Sequence, residues 1–173
     1  MTRRAFNSVT GSEPSAPARR LTATDRIALL IATAGGAGYS PVAPGTAGSA
    51  VTALLLWLVP FSRTGLMLFL VAVVVVGTWA AHRAEPVLGG KDPGAIVIDE
   101  VAGMALSVLV FPLTVPVLVA GFFLFRLFDV VKPPPAHGSQ KLRGGVGVMI
   151  DDLIAGAYAL AVLGAAHWLF GWP

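Results

Sequence analysis

The last apolar stretch of the chain, GGVGVMIDDLIAGAYALAVLGAAHWLF (residues 144–170), carries two adjacent aspartates close to its start. A helix of about 20 apolar residues crosses the hydrocarbon core of a bilayer. A carboxylate inside such a helix is costly, by about 3 kcal/mol at the helix centre. The stretch therefore predicts a membrane helix over about 150–170, in which Asp151 and Asp152 have a partner or a function that offsets this cost.

The composition of the whole chain also indicates a membrane protein. Of its 173 residues, 55% are hydrophobic and only 12% are charged, and the mean hydropathy is +0.78. Soluble domains carry about 25% charged residues, so this chain has too little polar surface for a water-soluble globule. We expect a single domain over residues 21–173, preceded by a disordered tail over residues 1–20 that is rich in Ser, Pro, Ala and Arg.

The apolar segments predict an all-α fold, a multi-pass bundle of membrane helices. A helix over 25–35, capped by Thr24 or Asp25, is too short to span and is expected to lie at the membrane interface. Proline and glycine residues divide the rest of the chain into apolar segments. These predicted spans cover about 50–61, 65–81, 96–112, 115–131 and 150–170.

The basic residues predict the orientation of this bundle. If the five segments span, the N-terminal tail and the loops 82–95 and 132–149 share one side of the membrane, with ten Lys and Arg residues, against Arg63 alone on the other. The positive-inside rule makes the rich side cytoplasmic, with the C-terminus outside. The net charge of +3 is spread over these loops and forms no basic patch, so we expect no nucleic-acid partner.

Three acidic clusters fall at predicted helix ends on the cytoplasmic side. They are IVIDEVAG, with Asp99 and Glu100; FRLFDVVKP, with Arg126, Asp129 and Lys132; and MIDDLIAG, with Asp151 and Asp152. Each cluster taken singly has a structural explanation, such as an Arg126–Asp129 ion pair or an Asp151 helix cap. Together they hold five of the nine carboxylates, and ionisable residues inside membranes are functional by default.

Several carboxylates at one interface repel one another, and a divalent cation would remove that repulsion. The chain has no cysteine and only three histidines, so oxygen ligands and Mg²⁺ are expected rather than Zn²⁺.

The glycine-rich stretch GYSPVAPGTAGS (38–49) is a candidate phosphate-binding loop, and GGVG (144–147) is a second one. Glycine lets backbone N–H groups approach a ligand, and the start of the next helix offers unpaired donors. The alternative for the first stretch is a tight re-entrant turn capped by Thr46 or Ser49.

These motifs, in this order, resemble the phosphatidylglycerophosphatase A family of bacterial membrane phosphatases. The resemblance runs from about residue 27 to 160 and rests on GYSPVAPGTAGS, DPGAIVIDEVAG, FRLFDVVKPPP and GGVGVMIDDLIAG. It implies Mg²⁺-dependent hydrolysis of phosphatidylglycerophosphate to phosphatidylglycerol and phosphate, in the bacterial cytoplasmic (inner) membrane with the active site facing the cytoplasm. Between Lys132-Pro133 and Gly144 the chain departs from the family, since some members carry aromatic and acidic residues there.

The resemblance also implies roles for individual residues, with Asp92 a further matching position. The expected catalytic residues are Asp99, Glu100, Asp129, Asp151 and Asp152. The expected metal ligands among them are Asp99, Glu100, Asp129 and Asp152. The expected substrate-binding residues are Arg126 and Lys132, together with residues that the two glycine-rich stretches themselves suggest: Ser40, Gly45, Thr46, Gly144 and Gly145.

Two alternatives remain at this stage. An ion- or proton-coupled transporter also places acids in membrane helices, although such sites lie near the bilayer midplane between repeated halves. The second alternative is a phosphatase that acts on another lipid phosphate. The oligomeric state is not predicted.

Overall fold

A computed structural model of the protein describes residues 20–90, 93–134 and 145–172. These residues form helices and no strand, which confirms the all-α prediction. A short 3-10 helix (Ala34–Tyr39) follows the first α-helix. The α-helices are α1 (Ala23–Ala32), α2 (Pro44–Leu58), α3 (Arg63–Leu88), α4 (Ile98–Ser107), α5 (Val115–Val131) and α6 (Gly145–Phe170).

Two of these helices, α3 and α6, are long and apolar enough to cross a membrane, judged by length and composition. Each has 26 residues and is therefore about 39 Å long. Helix α2 is a shorter apolar helix of 15 residues. Large apolar side chains face outward, for example Leu68 and Val75 on α3 and Phe123 on α5. Such a surface suits contact with lipid.

The structure corrects the predicted boundaries of two segments. Helix α2 begins at Pro44 rather than near residue 50, so the second half of the glycine-rich stretch is helical. Proline at the first position favours this start, because its missing N–H would be unpaired there anyway. Helix α3 continues past residue 81 to Leu88 and ends at Gly89, which takes the left-handed conformation that glycine allows.

The largest correction concerns the segment predicted to span over 96–112. Helix α4 has ten residues and is about 15 Å long, about half of the hydrocarbon thickness. Eight of its ten residues are buried, and it packs against α2, α3, α5 and α6. Its apolar residues therefore form the centre of the bundle rather than a span.

Two glycines bring α4 and α6 into close contact. A Cβ atom built on Gly156 would lie 2.4 Å from the carbonyl oxygen of Gly103. A Cβ atom on Gly103 would lie 2.3 Å from the ring of Phe125 on α5 and 2.7 Å from the carbonyl oxygen of Asp152. Only glycine allows backbones this close, so the two positions fix the spacing of three helices.

The start of α1 also differs from the prediction, because Thr22 is the cap rather than Thr24 or Asp25. The Thr22 Oγ1 atom accepts a hydrogen bond from the N–H of Asp25, and the Asp25 carboxylate accepts one from the N–H of Thr22, which is a capping box. The other carboxylate oxygen accepts a hydrogen bond from Arg83 Nε at 2.9 Å. This pair ties α1 to α3. The expected location of α1 at an interface stays a prediction.

We expect Gly156→Ala to lower the stability of the fold. The added methyl group meets backbone atoms that cannot move aside cheaply, and overpacking of this kind costs about 1–3 kcal/mol. Thermal unfolding in detergent, followed by tryptophan fluorescence, measures the effect. Gly164→Ala on the same helix is the control, because its Cβ atom would have nothing within 4 Å. Equal melting temperatures for the two variants would contradict the role of the Gly103–Gly156 contact.

We expect the contribution of Asp25 to stability to depend on pH. Hydrogen bonds from the Thr22 N–H and hydroxyl and from Arg83 lower the pKa of Asp25 from 3.8 to about 2. Since the folded-state pKa is lowered, this stabilisation is complete above the unfolded pKa and is lost as the pH falls from 3.8 to about 2. Asp25→Asn should therefore melt below the wild type at pH 7, and this difference should shrink as the pH falls from 3.8 through about 2. A constant difference across this range would show that the charge is not the cause.

Candidate active site

The helices converge so that their polar ends meet at one end of the bundle. The starts of α2, α4 and α6 and the end of α5 all lie there. Helices α4 and α6 run parallel, and Asp99 and Asp152 each lie one turn before the glycine at the α4–α6 crossing. The close crossing therefore places carboxylates from two helices side by side.

Asp99, Glu100 and Asp152 form a carboxylate cluster. One oxygen atom from each of them lies within 4.8 Å of the others. Asp99 and Asp152 are 8% and 4% exposed. Asp99 and Glu100 are adjacent on α4, yet both reach the cluster.

The carboxylate cluster suits a divalent cation. Asp99 Oδ1, Glu100 Oε2 and Asp152 Oδ2 are buried and have no hydrogen-bond partner among the described residues. Buried carboxylate oxygens of this kind are costly unless a cation compensates them. Three converging oxygen ligands with no sulfur or imidazole donor match the preference of Mg²⁺.

Arg126 and Asp129 lie beside the carboxylate cluster. The Arg126 Nη1 atom is 2.6 Å from Asp129 Oδ2 and 3.7 Å from Glu100 Oε1. Asp129 is also close to Asp152, and the two carboxylates repel each other. The structure thus brings the fourth predicted ligand, Asp129, near Glu100 and Asp152 and pairs it with an arginine, but leaves it outside the group of three converging carboxylates.

The two adjacent aspartates of α6 have different partners. Asp151 lies with its Oδ2 atom 3.5 Å from Lys132 Nζ, whereas Asp152 faces the carboxylate cluster. Lys132 caps the end of α5 in a left-handed conformation. Neighbouring residues of a helix point about 100° apart, which separates the two roles.

Gly45 packs directly over the Glu100–Arg126 pair. A Cβ atom at Gly45 would lie 2.1 Å from Glu100 Oε1 and 3.0 Å from Arg126 Nη1. The residue before the helix, Ala43, supplies no side-chain cap. The N–H groups of Gly45 and Thr46 therefore have no acceptor within the helix and lie at the polar end of the bundle.

Other predicted residues lie elsewhere or have local partners. Ser40 donates its hydroxyl hydrogen bond to the carbonyl of Val42, and Ser49 donates to the carbonyl of Gly45 rather than capping the helix. Gly145 packs on the backbone of α3, where a Cβ atom would lie 2.3 Å from the Thr78 carbonyl oxygen. The predicted positions Asp92 and Gly144, and the tail over residues 1–19, fall outside the described residues.

Tyr158 is a polar residue that the sequence analysis missed. Its hydroxyl donates a hydrogen bond to the carbonyl of Pro134 at 2.7 Å, and its ring packs on Phe128. The contacts hold the segment after α5 against α6, and this segment includes Lys132. The sequence did hold a sign of this role, because Tyr158 carries a hydroxyl group within an otherwise apolar helix, two turns after the adjacent aspartates.

An oxygen-rich site with adjacent cations, at one end of an apolar helical bundle, is typical of a membrane enzyme that acts on phosphate esters. A family model described as "Phosphatidylglycerophosphatase A" matches residues 30–167. The chain belongs to this family and is a phosphatase, which confirms the resemblance seen in the sequence. With the two long apolar helices, the family also indicates a membrane protein rather than a soluble one.

Three curated relatives support this assignment. A protein of Bacteroides thetaiotaomicron named "Putative phosphatidylinositol-3-phosphatase" is 40% identical over 83% of this chain and 95% of its own length. Proteins named "Phosphatidylglycerophosphatase A" from Escherichia coli and Haemophilus influenzae are 33% and 34% identical, over 82% and 81% of this chain and 86% and 89% of their own lengths. The comparison with solved structures found no match.

We expect Gly45→Ala to lower phosphatase activity without unfolding the protein. The new methyl group displaces the flexible ends of Glu100 and Arg126, and misplacement by about 1 Å in a site can cost about 100-fold in rate. Phosphate release and melting temperature are measured on the same purified protein. Gly164→Ala is again the control, and full activity of Gly45→Ala would show that this contact does not shape the site.

Proposed function

We propose that the protein hydrolyses the terminal phosphomonoester of phosphatidylglycerophosphate, and that it does so with Mg²⁺ at the cytoplasmic face of the bacterial inner membrane. The products are phosphatidylglycerol and inorganic phosphate. The observation that carries the proposal is the carboxylate cluster, with unpaired buried oxygens, beside Arg126 and Lys132 at one end of an apolar bundle.

The cations and backbone donors of the site are suited to a phosphate group. Arg126 can donate two parallel hydrogen bonds to phosphate oxygens, and Lys132 acts as a point charge. The N–H groups of Gly45 and Thr46 open onto the same end at the start of α2, which favours an anion. A phosphomonoester bound here would draw Arg126 away from full pairing with Asp129.

Asp99, Glu100 and Asp152 would hold Mg²⁺ through the oxygens that have no other partner. When bound, the ion would neutralise charge on the phosphoryl group and lower the pKa of a coordinated water. Asp129 is close enough to Asp152 either to complete the ligand set or to accept the proton of the attacking water. Asp151 holds Lys132 in reach of the phosphate.

The proposed orientation follows from the positive-inside rule. Arg83 and Lys132 lie towards the polar end of the bundle, while Arg63 begins α3 at the opposite end. With the polar end in the cytoplasm, the N-terminus lies inside and the phosphate leaves into the cytoplasm. We also propose that the bundle crosses the membrane several times.

The names of the relatives define the substrates to compare. Two are named for phosphatidylglycerophosphate, and the Bacteroides relative is named for a phosphoinositide. Both substrates carry a phosphomonoester at the headgroup of a membrane lipid, so the shared chemistry suits the same site. The panel should therefore contain phosphatidylglycerophosphate, phosphatidylinositol 3-phosphate and phosphatidic acid.

We expect purified protein to release inorganic phosphate from phosphatidylglycerophosphate faster than from the other two lipids, and to lose this activity when a chelator removes divalent cations. Addition of Mg²⁺ should restore it. Faster release from the inositol lipid would overturn the proposed substrate, and full turnover in excess chelator would overturn the role of Mg²⁺.

Asp152→Asn and Asp129→Asn test the same site. Each substitution keeps the shape of the side chain and removes its negative charge. Loss of one preorganised electrostatic group costs about 3 kcal/mol in the barrier, or about 100-fold in rate. The melting temperature should stay the same or rise, because repulsion among the carboxylates falls. Loss of stability with normal turnover per folded molecule would make these aspartates structural.

A further inference from the structure

An apolar groove runs between α2 and α5 on the outside of the bundle. Its volume is about 410 Å³, and its walls are almost entirely hydrocarbon. Ala50, Ala53 and Trp57 line one wall, and Val115, Val119 and Phe122 line the other. Several of these side chains are about half exposed, so the groove opens sideways to the surroundings of the helices.

The helical stripes that line the groove point towards the candidate active site. On α2, Trp57, Ala53 and Ala50 lie on one helical stripe, and the next position on this stripe towards the start of the helix is Thr46. The spacing of 4, 3 and 4 residues keeps all four on one face.

The wall on α5 follows the same rule. Val115, Val119 and Phe122 lie on a stripe whose next position, one turn on, is Arg126. Arg126 pairs with Glu100 and Asp129 and lies close to Gly45. The groove ends at Ala50 and Phe122, and one helical turn further on, both stripes reach residues of the proposed phosphate site.

The distance along α5 from the proposed phosphate site to the far end of the groove fits one leaflet of a bilayer. From Arg126 back to Val115 is eleven residues, or about 16 Å of helix. Half of the hydrocarbon core is about 15 Å. A lipid with its phosphate at Arg126 would thus extend one acyl chain along the groove to the middle of the bilayer.

We propose that the groove between α2 and α5 binds an acyl chain of the same lipid whose phosphomonoester is hydrolysed at the polar end. This inference rests on the proposed function, and it makes chain length a determinant of the affinity for substrate. The occupant is the substrate chain rather than a second copy of the protein, because the groove is apolar, its stripes lead to the phosphate site, and the distance from that site to its far end matches one leaflet.

Filling the groove tests this inference. In Ala50→Trp and Val119→Trp, an indole occupies the groove from either wall. With a long-chain phosphatidylglycerophosphate in mixed micelles, we expect kcat/KM to fall by about tenfold or more through KM. With a short-chain form of the same lipid, whose chains end before the obstruction, kcat/KM should stay within about twofold of the wild type.

Ala72→Trp is the matched control. Ala72 is also exposed on an apolar helix, α3, but it lies outside the groove. This variant should leave kcat/KM for both substrates unchanged.

Equal effects of all three variants on kcat/KM, or an equal loss of activity on both substrates in the groove variants, would overturn the inference. A change of oligomeric state in the groove variants would overturn it too, because the groove would then be an interface between copies. Wild-type protein that hydrolyses neither lipid would instead refute the proposed function.

Discussion

The close approach of α4 and α6 at Gly103 and Gly156 is the contact on which the rest of the structure depends. It allows eight of the ten residues of α4 to be buried among four other helices, and it lets the ring of Phe125 pack onto α4 from α5. One turn above the crossing, the same spacing brings Asp99 and Glu100 to Asp152. A side chain at either glycine would separate the helices and open the carboxylate cluster, so packing and chemistry share one constraint.

The polar end is electrostatically unfavourable for the fold and favourable for phosphate chemistry. Among the described residues, five carboxylates gather around the cations Arg126 and Lys132, and three of these carboxylates have buried oxygens without a hydrogen bond. Replacing such groups by apolar ones often stabilises a protein. Under the proposed function, the phosphate and the cation bound there explain their presence in a largely apolar bundle, while helix packing and the Asp25–Arg83 pair contribute stability.

Much of the fold could be predicted from the sequence, because apolar composition and proline breaks limit where helices can form. The class and the approximate positions of α3, α5 and α6 follow from these features. The residues at which the helices begin and end do not follow from the sequence, since they depend on contacts between segments far apart in the chain. The stretch from Pro44 to Ser49 has the composition of a loop, yet it is helical where it packs on α4. The apolar run over 96–112 has the composition of a span, yet only Ile98–Ser107 is helical, because the other helices surround it.

By itself, the sequence determined the candidate site residues: the acidic pairs, Arg126, Lys132 and the glycine-rich stretch are all visible as charged or flexible groups among apolar residues. Only the tertiary structure decided how they combine. Asp151 pairs with Lys132 while Asp152 joins the carboxylate cluster, and Gly145 packs on α3 while Gly45 lies over Glu100. Residues of the same type have different roles because each one's direction around its helix, and the helix that it meets there, are fixed by packing between segments far apart in the chain.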